Sequence, residues 1–147
     1  MAYFQALFSN DVFLASFWGW FVAQLLKVVI TLITEKKLNL YRMVGSGGMP
    51  SSHSSMVMAL STSVGLVDGY QSVTYAVALC FALIVMYDAS GVRRAVGKQA
   101  IILNTMLDDL YQHKPIQHDR LKELVGHTPY EVLVGAALGI FIAHLVI

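Results

Sequence analysis

The sequence predicts an all-α fold: an integral membrane helical bundle of about four transmembrane helices plus one amphipathic helix on the cytoplasmic side. Three observations predict it. Hydrophobic residues make up 56% of the 147-residue chain and charged residues only 13%, where soluble domains carry roughly 25% charged residues. Apolar runs recur at lengths that suit a bilayer. The charges fall at the ends of those runs, on one membrane face. The length suits one domain. Cys80 is the lone cysteine, so no internal disulfide forms and a cysteine-based metal site is not expected. The opening MAYFQALFSN lacks the basic start of a cleavable signal peptide. No internal repeat and no low-complexity linker stands out.

The first expected span is 12–34, VFLASFWGWFVAQLLKVVITLIT, with Lys27 as its one charge. Trp18 and Trp20 lie toward its start, where an aromatic belt would sit. A polar exit with Lys36, Lys37 and Arg42 follows, then the glycine-rich GSGGMPSSHSS. Residues 54–67 form a second, short and serine-rich apolar segment. A polar turn, 68–72, leads to the third span, 73–87, which ends in DASGVRR. Over 95–111 the apolar residues Val96, Ala100, Leu103, Leu107 and Leu110 recur at helical spacing, which marks the amphipathic helix. The stretch HKPIQHDRLKELVGH is the most polar, and 132–147 is the last apolar helix.

If the first helix starts outside, every lysine and arginine except Lys27 falls inside, while the turn at 68–72 has no basic residue. The positive-inside rule then fixes the orientation. The expected location is the plasma membrane, multi-pass, with the loop at 47–55, the DASGVRR turn and the GHTPYE turn sharing the cytoplasmic face. A site needs such a convergence of polar segments.

Two stretches carry the chemistry. In PSSH, Ser51 or Ser52 caps the helix that follows. The free N–H groups and positive dipole end at that helix start suit an anion such as phosphate. His53, just inside the helix, can give a proton to a leaving oxygen. The plainer reading is a serine-capped helix with an interfacial histidine. In GHTPYE, Thr128, Pro129 and Glu131 fit a capping box with proline at the first helical position. The competing reading has Glu131 orient His127, which would give that ring a fixed tautomer and higher basicity. Both readings claim the same carboxylate.

These residues resemble a known family. PSSH followed by GHTPYEVLVGAALG is similar to the type-2 phosphatidic-acid phosphatase and vanadium haloperoxidase superfamily. Over nearly the whole chain, GGMPSSHS and DASGVRR included, the sequence resembles its small divergent branch of acid phosphatase/vanadium-dependent haloperoxidase-related membrane proteins. The resemblance implies a single membrane phosphatase-like domain over 1–147. It implies His127 as a nucleophile that becomes phosphohistidine, Glu131 as its orienting acid and His53 as the general acid. It also implies Ser51 and Ser52 in the phosphate loop, with no cofactor and no metal. Ser52 stands where the superfamily has glycine. Leu121 stands where it has an arginine, so that role falls to Arg93, Arg94, Arg120 or Lys122. Lys36 or Lys37 with Arg42 lies near the place of the lysine–arginine motif, off its spacing.

Lys27 either snorkels to the inner surface or faces a polar cavity as a phosphate ligand. Arg93 and Arg94 either anchor the chain at the membrane or fork onto phosphate, with Asp88 supporting one cation. His113 and His118 read as solvated, and His144 as interfacial. The leading expectation is a membrane phosphatase acting on a lipid phosphate monoester or diphosphate. A lipid-phosphate binding or scaffold protein is the alternative. A zinc site from His53, His127, Glu131 and Asp88 lacks tight ligand spacing. DASGVRR also begins like the motif of CDP-alcohol transferases, but the paired aspartates that should follow are not at that spacing. The expected partner is membrane lipid, not nucleic acid, and a homodimer would help bury Lys27.

Overall fold

The computed structural model describes residues 2–36, 48–110 and 126–147, all helical or in the turns between helices. Among the described residues six helices follow one another: α1 (Ala2–Phe8), α2 (Asp11–Glu35), α3 (Ser52–Asp68), α4 (Val73–Ser90), α5 (Val92–Leu110) and α6 (Pro129–Val146). The short α1 was not foreseen. The other five match the predicted segments, each shifted by a few residues at its ends. Four starts are set by a polar side chain that accepts from the first turn, as helix ends require: Asn10 from Phe13 N, Ser51 from Ser54 N, Ser72 from Tyr75 N and Thr128 from Glu131 N.

The packing is inverted relative to a soluble protein. On α2, Ser16, Gln24, Lys27 and Thr31 are buried while Phe17, Trp18, Leu25, Leu26, Val29, Leu32 and Ile33 are exposed. That order is stable only where the surroundings are hydrocarbon. Among the described residues three stretches are long and apolar enough to cross a membrane: Asp11–Thr34, Val73–Asp108 and Pro129–Val146. The expected fourth span, α3, is not among them. It is shorter and carries buried Ser52, Ser54, Ser55, Ser61, Thr62 and Ser63. Its place explains its composition, because α2, α4 and α6 all pack on it and shield its serine-rich sides from lipid.

Close approach holds α3 to its neighbours. A Cβ at Gly135 would sit 2.3 Å from Ser51 O, and one at Gly139 2.2 Å from Ser55 O. The GAALG of α6 is thus a small-xxx-small contact that lets two backbones meet. Ser51 N donates to Glu131 O at 3.1 Å, so α3 and α6 run parallel with their starts side by side. On the other flank Gly19 lies against Ser55 and Ala59, and Ser55 Oγ donates to Gly19 O at 2.8 Å. Lys27 reaches Ser52, so α2 is antiparallel to α3. His127 N donates to Ala89 O at 2.9 Å, which ties the end of α4 to the start of α6. The three polar segments predicted to share one face do converge at one end of the bundle.

α5 forms where the apolar spacing predicts a helix, but its buried side is not the apolar stripe. Gly97, Ala100 and Asn104 are buried, while Val96, Ile101, Ile102, Leu103 and Met106 are exposed. The apolar stripe thus faces outward: of Val96, Ala100, Leu103 and Leu107, only Ala100 is buried. Among the described elements α5 touches α4 alone.

Candidate active site

His127 is placed by its neighbours on both sides. Gly126, at φ +99°, makes the left-handed turn that a side chain would resist, and Thr128 starts α6 one residue later. The ring is buried, at 3% exposure. Its Nδ1 lies 3.2 Å from Glu131 Oε2. A carboxylate only accepts, so Nδ1–H donates, which leaves the lone pair of the neutral imidazole on Nε2. Nε2 is itself buried. The same Oε2 accepts from Thr128 N at 3.0 Å while Glu131 N donates to Thr128 Oγ1 at 3.3 Å. The capping box and the imidazole contact, which read as competitors in the sequence, share one oxygen.

His53 stands opposite, on the first turn of α3. The two imidazole centroids are 6.1 Å apart with planes tilted by 62°. Ser51 is fully buried. Its Oγ accepts from Ser54 N at 3.3 Å and from Ser54 Oγ at 3.0 Å. Both lone pairs are then engaged, so its hydroxyl hydrogen is left to donate. Ser52 Oγ accepts from Lys27 Nζ at 3.0 Å in a buried, charge-assisted bond. Lys27 is 3% exposed, so it does not snorkel. It is buried within a single chain.

Asp88 lies half-buried on the last turn of α4, next to the Ala89 carbonyl that holds His127. Arg93 and Arg94 fall in the first turn of α5. Arg42, Arg120 and Lys122 lie outside the described residues, as do His113 and His118. His144 is exposed at the opposite end of α6, its Nδ1 donating to Ile140 O at 2.9 Å. Among the described residues no group of three or more His, Cys, Asp or Glu side chains is arranged to hold a metal ion. One residue was overlooked in the sequence. Gln24, one turn before Lys27, is buried, and its Oε1 has no hydrogen-bond partner among the described residues. An intramembrane amide at i−3 from an intramembrane lysine was the available signal.

Fold and site together define a helical membrane protein that gathers two histidines, a carboxylate and a buried lysine at one end of its bundle. The chain belongs to the Divergent PAP2 family, whose model matches residues 8–142, and is thus a membrane protein related to phosphatases. It is similar to the uncharacterized membrane protein YuiD of Bacillus subtilis (strain 168), at 40% identity over 147 residues. That match spans 92% of this chain and 93% of the relative. No solved structure matches it significantly.

Proposed function

We propose that the protein is an integral membrane phosphatase that hydrolyses a lipid phosphate monoester or diphosphate through a phosphohistidine. One observation carries the reading: His127, held through Nδ1 by Glu131, faces His53 across 6.1 Å between ring centroids. A phosphoryl group between two such rings has a nucleophile on one side and an acid on the other. The oriented Nε2 of His127 attacks phosphorus. The bond from phosphorus to the lipid oxygen breaks, and His53 gives that oxygen its proton. In the second half-reaction His53 takes a proton from water, the water oxygen attacks phosphorus, and the P–N bond breaks to free phosphate and His127.

Charge on the transferring group is met by positioned donors, which is most of what phosphoryl transfer requires. The candidates are Lys27 Nζ, the Ser51 hydroxyl and the N–H groups at the start of α3. Arg42, Arg93 and Arg94 are proposed to complete the phosphate cradle, with Asp88 holding one cation in place. Every basic residue except Lys27 belongs to a segment that leaves or enters the site end of the bundle, which favours a site facing the cytoplasm from the plasma membrane. A protein that binds lipid phosphate without turnover is the second reading, favoured by Leu121 at the superfamily's arginine position.

Brief exposure to a radiolabelled lipid phosphate tests the first reading. A phosphoprotein that survives alkali, decays in acid and is missing in His127→Ala is the expected result. A labelled protein with the phosphate on another residue, or equal labelling in His127→Ala, would overturn it.

A further inference from the structure

Three sides of α3 are taken. Ser51 and Ser55 meet Gly135 and Gly139 of α6, and Ser55 and Ala59 meet Gly19 of α2. Gly65 lies against Tyr75 of α4 and Tyr70 of the turn before it. Among the described residues the fourth side is open. His53, Met56, Leu60, Val64 and Val67 follow one another at spacings of three and four, which is one stripe of a helix. After His53 the stripe is wholly apolar. Met56 and Val67 are exposed and the other three half-buried, whereas Ser52, Ser54, Ser55, Val57, Ala59, Ser61, Thr62, Ser63 and Gly65 are all buried. Among the described residues α2 and α4 do not touch each other. The stripe is therefore the floor of a slot between them, open to the bilayer. It runs about 21 Å from His53 to Val67 at 1.5 Å per residue.

We propose that this slot holds the hydrocarbon tail of the substrate's leaving group. The proposal rests on the phosphatase reading above, because it is the role of His53 that gives the slot a direction. The oxygen that His53 protonates is the one joined to the lipid. The carbon chain leaving that oxygen finds Met56 one turn on, then Leu60 and Val64, and Val67 at the far end. Depth points the same way. Lys27 and Ser52 lie about 12 Å, or eight residues, before the end of α2. Of the exposed residues between, Val29, Leu32 and Ile33 are apolar, and Thr34, near the helix end, turns its hydroxyl onto Ile30 O at 2.8 Å. A phosphate bound to Lys27 thus lies below the level where α2 turns polar at Glu35 and Lys36. A lipid reaches that depth sideways, along hydrocarbon, more cheaply than a hydrated ester reaches it from water.

The test uses a hexadecyl phosphate with a diazirine at mid-chain, and hexadecanol with the same diazirine, on the purified full chain in detergent. The phosphate probe should label Met56, Leu60, Val64 or Val67, and unlabelled hexadecyl phosphate should displace it. The alcohol should label the lipid-facing Val77 and Ile84 of α4 as readily as α3. Leu60→Trp should cut the displaceable labelling about tenfold, the scale of a filled apolar pocket. Phosphate-probe labelling spread equally over Val77, Ile84 and α3, or not displaced by unlabelled lipid, would overturn the slot. Labelling of α3 in a chain that releases no phosphate would remove the phosphatase reading and leave the slot standing. Phosphate release from lipid with no labelling of α3 would do the reverse.

Discussion

Replacing Gly135 by alanine puts the contact between α3 and α6 to a quantitative test. The added Cβ would lie 2.3 Å from Ser51 O and 3.1 Å from Ser51 C and N. All three atoms are backbone, so none can swing away. Carbon and oxygen need a separation nearer to about 3.3 Å, so the helices must part by about 1 Å. The Ser51 N–H···O=C bond to Glu131, now 3.1 Å, then stretches past the range of a hydrogen bond. Overpacking of this kind costs about 1–3 kcal/mol. A shift of about 1 Å between Ser51–His53 and His127 should also lower catalysis about 100-fold. Thermal and denaturant unfolding in detergent, followed by tryptophan fluorescence, reads the first effect. Gly139→Ala should behave alike, since its Cβ would meet Ser55 O at 2.2 Å, and Gly19→Ala should be milder, with Ala59 Cβ at 2.9 Å. If Gly135→Ala and Gly139→Ala unfold within about 0.5 kcal/mol of the parent, the range of an ordinary surface substitution, the close backbone contact is refuted.

Glu131→Gln separates the two duties of one carboxylate. Glutamine still accepts from Thr128 N, so unfolding should move little, whereas Glu131→Ala should lose about 1 kcal/mol with the cap. Both should lose phosphate release, by about 100-fold or more: Glu131→Gln keeps an oxygen for His127 Nδ1–H but loses the charge that raises the ring's basicity, and Glu131→Ala loses both; a fully active Glu131→Gln would rule out a role for the charge, and a fully active Glu131→Ala the orienting role. Lys27→Met should weaken inorganic phosphate binding about 10-fold to 100-fold, the worth of one charge-assisted hydrogen bond, measured as lost protection against thermal unfolding. Unchanged protection would exclude Lys27 from the phosphate site. His53→Ala should slow poor leaving groups far more than activated aryl phosphates, and equal losses on both would count against proton donation by His53.

Much of the bundle could be read from the chain, because its driving force is crude: long apolar runs, a cap at four of the starts, basic residues at one end. The convergence of PSSH and GHTPYE was legible for the same reason, since both open helices at the same face. What escaped was set by contacts between helices. The stripe of α5 obeyed the right period, yet Gly97, Ala100 and Asn104 took the inner side, since period alone does not say which face is buried. Lys27 left two readings open until Ser52 was seen across from it, because the partner is 25 positions away in sequence. Glu131 left two open until one oxygen was seen to serve both Thr128 N and His127 Nδ1. The short, serine-rich α3 was expected as one of about four spans; packed against three helices, it needs little apolar surface beyond one stripe.

The central claim is histidine phosphatase chemistry, and phosphate release measures it most directly. A panel of lipid phosphates, monoesters and diphosphates, would be offered to the purified protein in detergent, with and without EDTA, beside His127→Ala. The account predicts release that survives EDTA and disappears in His127→Ala, with the preferred lipid naming the substrate. Release that EDTA abolishes, release that persists in His127→Ala, or no release from any lipid by a folded chain that still binds them would contradict it.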